Sequence, residues 1–365
     1  MALKLSKLIQ KPLFFFLLCS FTKAKSQVIN GSQKSPVSAI FAFGDSTVDA
    51  GNNNYIATPM KSNFPPYGRD FFTHIPTGRF TNGKLITDFV ASYLGIKEEL
   101  PPYLDWSLGL EELMTGVSFG SAGSGLDPDT AKITDVIPVL GQLDYFRNYM
   151  DRLDQMIGMK TRVVIKRAVF VLSAGTNDFI AFSTVPLTRK EYSIEGYQGF
   201  LLDKVKEFIQ VLSNFGANRI VVAGLPPMGC LPIVITLKAN DGIHDRGCIS
   251  SLNSIALDYN QKLQATLQEF SSSSSSTELQ IFYVDSYKPL IDIITSPASY
   301  GFMMSSEGCC GTGLVEAAVL CNPKSLTCID ASKYIFWDSI HPTEKAYYIM
   351  FNSFKPVIDY VLKSY

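Results

Sequence analysis

The sequence predicts a three-layer α/β domain around a central parallel sheet of about five strands. Three observations carry that prediction. Five short apolar runs rich in β-branched or aromatic residues recur at wide intervals, at 38–43, 114–119, 168–173, 219–223 and 279–284. Each reads as nearly continuous rather than alternating, as strands buried on both faces do. The stretches between them carry helical periodicity, and strands alternating with helices build a parallel sheet covered on both sides.

In chain order, the first run ends in Gly44-Asp45-Ser46, a polar turn where a strand stops. A helix over 84–94 precedes the second run, which leads into a loop at 118–125 rich in glycine and serine. A helix over 136–157 precedes the third run, which Gly175-Thr-Asn177-Asp178 follows. Helices over 194–215 and 251–270 lead to the fourth and fifth runs, and 343–362 is the closing helix. The serine run 271–276 between helix and strand reads as a solvated loop. In open parallel sheets the working residues gather at the carboxyl ends of the strands. The three polar loops therefore mark one edge of the sheet as the candidate site. Nothing marks an internal domain boundary or a repeat, so the expected organisation is a leader at 1–26 and a single catalytic domain at 27–365.

The leader expectation rests on Lys4, Lys7 and Lys11 before an apolar run at 12–21, followed by small residues. That is the pattern of a secretory signal peptide, and the run is too short to span a bilayer. Six cysteines follow it, Cys230, Cys248, Cys309, Cys310, Cys321 and Cys328, an even count that fits disulfides in an oxidising compartment. Six thiols allow about fifteen complete pairings, and the sequence does not choose among them. A metal site is disfavoured, because no Cys-x-x-Cys occurs and no histidine stands at zinc-ligand spacing beside them. Asn30-Gly-Ser is an N-glycosylation acceptor. Net charge is −1 with lysines and arginines scattered, which excludes nucleic acid and anionic membranes as obvious partners.

Two motifs that suggest chemistry are set aside. Gly116-Val-Ser118-Phe-Gly120 matches a nucleophile elbow, but loop chemistry follows it where a helix is required. The stretch from Gly78 to Lys84 approximates a phosphate-binding loop, yet it lacks the hydroxyl after lysine and no strand precedes it. Ser46 stands where free backbone N–H groups collect, although a capping serine would stand there too. The chain has only three histidines, His74, His244 and His341. Asp338 and His341, three apart on a turn, can set a carboxylate against one imidazole nitrogen and leave the other free. A surface turn that caps the last helix would use the same residues.

Beyond these local patterns, Phe43-Gly-Asp-Ser46-x-x-Asp49-x-Gly51-Asn-Asn-Asn54 resembles the first block of the plant GDSL esterase/lipases, members of the SGNH hydrolase superfamily. Further blocks follow in order, among them the segments around Gly83, Gly123 and Asn177. The series continues with Gly224-Leu-Pro-Pro-Met-Gly-Cys230 and Trp337-Asp338-Ser-Ile-His341-Pro342. The resemblance implies a flavodoxin-like α/β/α fold and cofactor-free hydrolysis of carboxylic esters, and the leader pattern sets the expected location outside the cell, in the wall or apoplast. It implies Ser46 as nucleophile, His341 as base and Asp338 as the acid that orients it. An oxyanion hole is implied from Ser46, Gly123 and Asn177. Thr47 stands where the family name has leucine, and Ser118 where asparagine is common. The same acyl-enzyme would also serve an acyltransferase with a sugar or alcohol acceptor, and a non-catalytic binding protein could share the fold.

Overall fold

In a computed structural model of the protein, residues 36–184, 189, 191–273 and 278–365 are described. The expected leader, Cys19 and the Asn30 acceptor lie outside the described residues. Strands β1 (Ile40–Gly44), β2 (Val169–Ser173), β3 (Arg219–Ala223) and β4 (Gln280–Val284) form one parallel sheet in the order β1-β2-β3-β4. Strand positions from the first, third, fourth and fifth apolar runs therefore agree with expectation.

The second run differs. Met114 closes a short helix, Leu110–Met114, and 115–119 lies along the outer side of β1 without becoming a regular strand. Ile40 N donates to Thr115 O at 3.3 Å, Ala42 N to Val117 O at 3.3 Å, and Phe119 N to Ala42 O at 2.7 Å. Gly116 breaks the extended geometry: its φ is +100°, and a Cβ there would fall 2.0 Å from Ile40 O. The sheet therefore has four regular strands and an irregular fifth edge, with the second run outside the first. That arrangement puts the reversal of strand order between β1 and β2, where ligands bind in open α/β sheets.

Two faces of the sheet are filled differently. On one, Phe41, Phe43 and Phe170 pack with Phe146 and Phe208 from the helices Gln142–Ile157 and Ile194–Asn214, ring centroids 5.2 to 5.7 Å apart. Helix Ser250–Ser273 packs on the same side through Tyr259 and Leu263. On the other face, Ile40, Ala42 and Val169 meet Ala91 and Leu94 near helix Ile86–Tyr93 and Val361 of the closing helix Glu344–Leu362. The first three residues of the serine run continue helix Ser250–Ser273 rather than forming loop, since serine's modest helix penalty yields to an established helix. The rest of that run lies outside the described residues. Helix 136–157 starts later than its periodicity implies, at Gln142, after the turn that holds Pro138 and Gly141.

A two-stranded parallel sheet, β5 (Met304–Gly308) with β6 (Tyr334–Phe336), was not legible in the sequence because both strands are short and only partly apolar. It carries the cysteine-rich loop. Cys309 pairs with Cys328, Cys310 with Cys321, and Cys230 with Cys248.

The C-terminal end of β1 is held by an amide that reads both of its backbone groups. Gly44 N donates to Gln142 Oε1 and Gln142 Nε2 donates to Gly44 O, each at 2.8 Å. Gly44 itself has φ +137°, and a Cβ there would stand 1.8 Å from Ser173 O on β2. Gly44→Ala is expected to lower the urea-derived unfolding free energy by about 3 kcal/mol or more, from backbone strain and collision together. An unchanged midpoint would contradict this account.

Candidate active site

Strand β1 stops at Gly44 and the chain folds back at once. Asp45 N donates to Ser173 O at 3.1 Å, and Val48 N and Asp49 N donate back to Asp45 O at 3.2 and 3.0 Å. The Asp45 carboxylate accepts from Thr47 N and Thr47 Oγ1 at 2.9 and 2.8 Å. Burial holds its pKa above the ordinary carboxylate range, against these bonds and the nearby His341. The result is a tight turn that presents Ser46 at the switch point, 7% exposed.

The other half of the site comes from the turn after β6. The Asp338 carboxylate accepts from Ile340 N and His341 N at 2.9 and 2.7 Å, which sets the turn. Its oxygens lie 2.9 and 2.7 Å from His341 Nδ1. His341 Nε2 is 2.8 Å from Ser46 Oγ, across 295 residues of chain. The imidazole also lies against the Phe80 ring, centroids 5.1 Å apart. Asp338 is fully buried and His341 is 3% exposed. Serine, imidazole and carboxylate thus form one unbroken hydrogen-bonded chain, in the geometry that lets an imidazole take a hydroxyl proton.

Asn177 is near the start of helix Thr176–Thr184 after β2, and its Nδ2 donates to Ser124 O at 2.9 Å. It lines a cavity of about 80 Å³ together with Ser46, His341, Leu225, Leu231 and Leu290. Gly123 does not line that cavity. It belongs to the adjoining loop, which is tied to Gly44 O by Ser121 N at 3.0 Å and Ser124 Oγ at 3.2 Å. Ser118 is buried and donates its hydroxyl to Val48 O, so it is occupied in holding the turn that bears Ser46. His74 and His244 are exposed and bond locally, to Arg69 O and Asp241. Among the described residues no group of acidic, histidine or cysteine side chains could hold a metal.

Several residues that shape the site gave no signal in the sequence. Tyr67 donates its hydroxyl to Asp338 Oδ2 at 2.7 Å and accepts from Ala318 N at 2.8 Å. Ala318 lies in the loop closed by the Cys310–Cys321 bond, so the disulfides brace the acid from behind. Tyr67 is one of 17 tyrosines, and no spacing links it to Asp338, 271 residues away. Tyr347, on the closing helix, lines the Ser46 cavity with a buried hydroxyl that has no hydrogen-bond partner among the described residues. Two buried carboxylates lace the loops together. Asp49 accepts from Gly51 N, Asn52 N and Ala122 N at 2.7, 2.6 and 2.9 Å. Asp178 accepts from Leu126 N, Asp127 N and Thr130 Oγ1 at 2.9, 3.0 and 2.7 Å. Burial outweighs these donors and pushes Asp49 up to about 6 and Asp178 up to about 7.

With this geometry established, likeness to known proteins becomes informative. Residues 40–354 match the family model of the GDSL-like lipases/acylhydrolases. The GDSL esterase/lipase At5g45960 of Arabidopsis thaliana is 51% identical over 335 residues, 91% of this chain and 89% of that protein. GDSL esterase/lipase At2g40250 of the same plant is 46% identical, covering 93% and 95% of the two chains, and At1g06990 is 45% identical, covering 89% and 90%.

Tyr67→Phe is expected to lower kcat about tenfold and leave KM near wild type, and to lower the unfolding free energy by about 1–3 kcal/mol, because the Asp338 oxygen and Ala318 N each lose a buried partner. A loss confined to KM would contradict its bond to Asp338. The raised carboxylates predict a pH effect on stability. Between about pH 4 and 7 the native state binds more protons than the unfolded chain, so stability falls as pH rises through that window. Urea unfolding should give lower stability at pH 8 than at pH 5. Relative to wild type, Asp178→Asn should be less destabilised at pH 8 than at pH 5; the opposite order would refute the assignment.

Proposed function

The chain belongs to the GDSL-like lipase/acylhydrolase family and is a carboxylic ester hydrolase, and on that premise we propose that it is a secreted esterase working through an acyl-enzyme on Ser46. The observation that carries the reading is the continuous chain Asp338–His341–Ser46 at the switch point of the sheet. Ser46 Oγ attacks the ester carbonyl carbon as its proton passes to His341 Nε2, and Asp338 holds the ring and stabilises the imidazolium. The new O–C bond leaves a tetrahedral oxyanion. It accepts from the Ser46 N–H and the Asn177 amide at the cavity wall, with the Gly123 N–H of the adjoining loop as the third donor, each worth about 3–4 kcal/mol when preset for that charge. Collapse breaks the bond to the alcohol, which leaves with the proton from His341. Water then attacks the acyl-enzyme, with the same imidazole as base.

Export follows from the leader pattern at 1–26 and is supported by three disulfides, which persist in oxidising compartments. No helix among the described residues is long and apolar enough to cross a membrane. The proposed location is outside the cell, in the wall space of a plant, with Asn30 as a glycan acceptor.

Ser46→Ala is expected to lower kcat on a p-nitrophenyl ester by about 10⁴-fold or more, with an unchanged melting temperature and undiminished recovery from the culture medium. Turnover retained at wild-type rate would remove Ser46 as nucleophile.

A further inference from the structure

A second cavity, about 110 Å³, lies between the sheet and the helices Ile86–Tyr93 and Glu344–Leu362. It is apolar along most of its length, walled by Val171 and Val221 of the sheet, Val90 of the first helix, and Val357, Ile358 and Val361 of the second. Its existence follows from the asymmetry of the sheet. The opposite face is filled by phenylalanine rings, whereas this face carries valine, alanine and isoleucine, too short to reach the closing helix everywhere. Val171, Val221 and Val357 consequently remain only partly buried in the middle of the fold.

The cavity adjoins the one at Ser46, with a shared wall between them. Thr47, Ile86, Ser173 and Ser286 line both. At this wall the Thr47 and Ser173 hydroxyls pair with each other at 2.8 Å, and Thr47 also donates to Asp45. Two of the three hydroxyls there are therefore already engaged. An apolar cavity that adjoins a nucleophile can take the apolar half of a substrate once the Thr47 and Ser173 side chains turn aside, because it removes carbon from water without stranding a polar group.

We propose that this cavity is the acyl-chain site, and that the preferred substrates are esters of medium- to long-chain fatty acids, with the alcohol portion left toward solvent. The proposal rests on the reading of Ser46 as nucleophile. From Ser173 at the shared wall to Val169 near the far end is four residues of β2, about 13 Å of strand. With C–C bonds of about 1.5 Å, an extended chain spans that with roughly ten carbons.

The test compares p-nitrophenyl acetate with p-nitrophenyl decanoate. Wild type is expected to have a kcat/KM at least tenfold higher for the decanoate. Val90→Phe and Val357→Phe, which fill the cavity from two different helices, should each lower the decanoate-to-acetate ratio at least tenfold. Val357→Ala should raise the ratio for a still longer chain, and a gain of that kind cannot come from misfolding. Wild type preferring acetate, or ratios indifferent to all three changes, would overturn the proposal. Calorimetric titration of the Ser46→Ala protein with decanoate separates the two readings. Binding that Val90→Phe abolishes in that background supports the acyl-chain site whatever Ser46 does, and no binding counts against that site alone.

Discussion

A carboxylate with no solvent must satisfy its lone pairs inside the protein or lose its charge, and the structure around Asp338 is organised by that requirement. Two backbone N–H groups, an imidazole and a phenol converge on its two oxygens. The backbone pair fixes the turn and therefore the direction of His341. The phenol, itself held by Ala318, fixes the carboxylate from the far side. That loop keeps its place because two disulfides close it on itself, and Cys309 N and Cys310 N bond to Phe336 O and Trp337 O at the end of β6. A chain of constraints thus runs from the cysteine-rich loop to the imidazole, each member oriented by the one behind it.

The serine side is organised by backbone rather than by charge. Gln142 grips both polar groups of Gly44, and Asp45 closes the turn that follows. Asp49 and Asp178 then tie that turn, the loop at 118–127 and helix Thr176–Thr184 into one body. Hydrogen bonds donated by backbone N–H groups to a buried carboxylate are directional, so the loops around Ser46 are held more firmly than their glycine content implies. These bonds pull against burial, which raises both pKa values. A site assembled from loops at one sheet edge gains the rigidity of the sheet in this way.

Most of the fold was legible because its elements carry strong local patterns. The runs at 168–173, 219–223 and 279–284 are continuous apolar segments of strand length, and the amphipathic helices between them leave no other partner for those strands. The run at 114–119 has the same composition but contains Gly116, and its failure to form a regular strand depends on the proximity of Ile40 O, a contact between segments. The pairing of β5 with β6 was invisible for a similar reason. Its strands, Met304–Gly308 and Tyr334–Phe336, are too short and too mixed to be distinguished from loop.

In the sequence by itself, local order and composition carried the class of fold, the family resemblance, and Ser46, Asp338 and His341 as candidate site residues. Its local patterns left Ser46 and Asp338–His341 balanced between chemistry and capping, since a cap and a nucleophile occupy the same kind of turn. Tertiary structure alone decided that Ser46 Oγ and His341 Nε2 stand 2.8 Å apart across 295 residues, that Tyr67 stands behind Asp338, and which cysteines pair. It also decided that short side chains on one sheet face leave an apolar cavity that adjoins the one at Ser46. Each of these is a distance between residues remote in the chain, and such distances are set by packing the whole core rather than by any segment's own preferences.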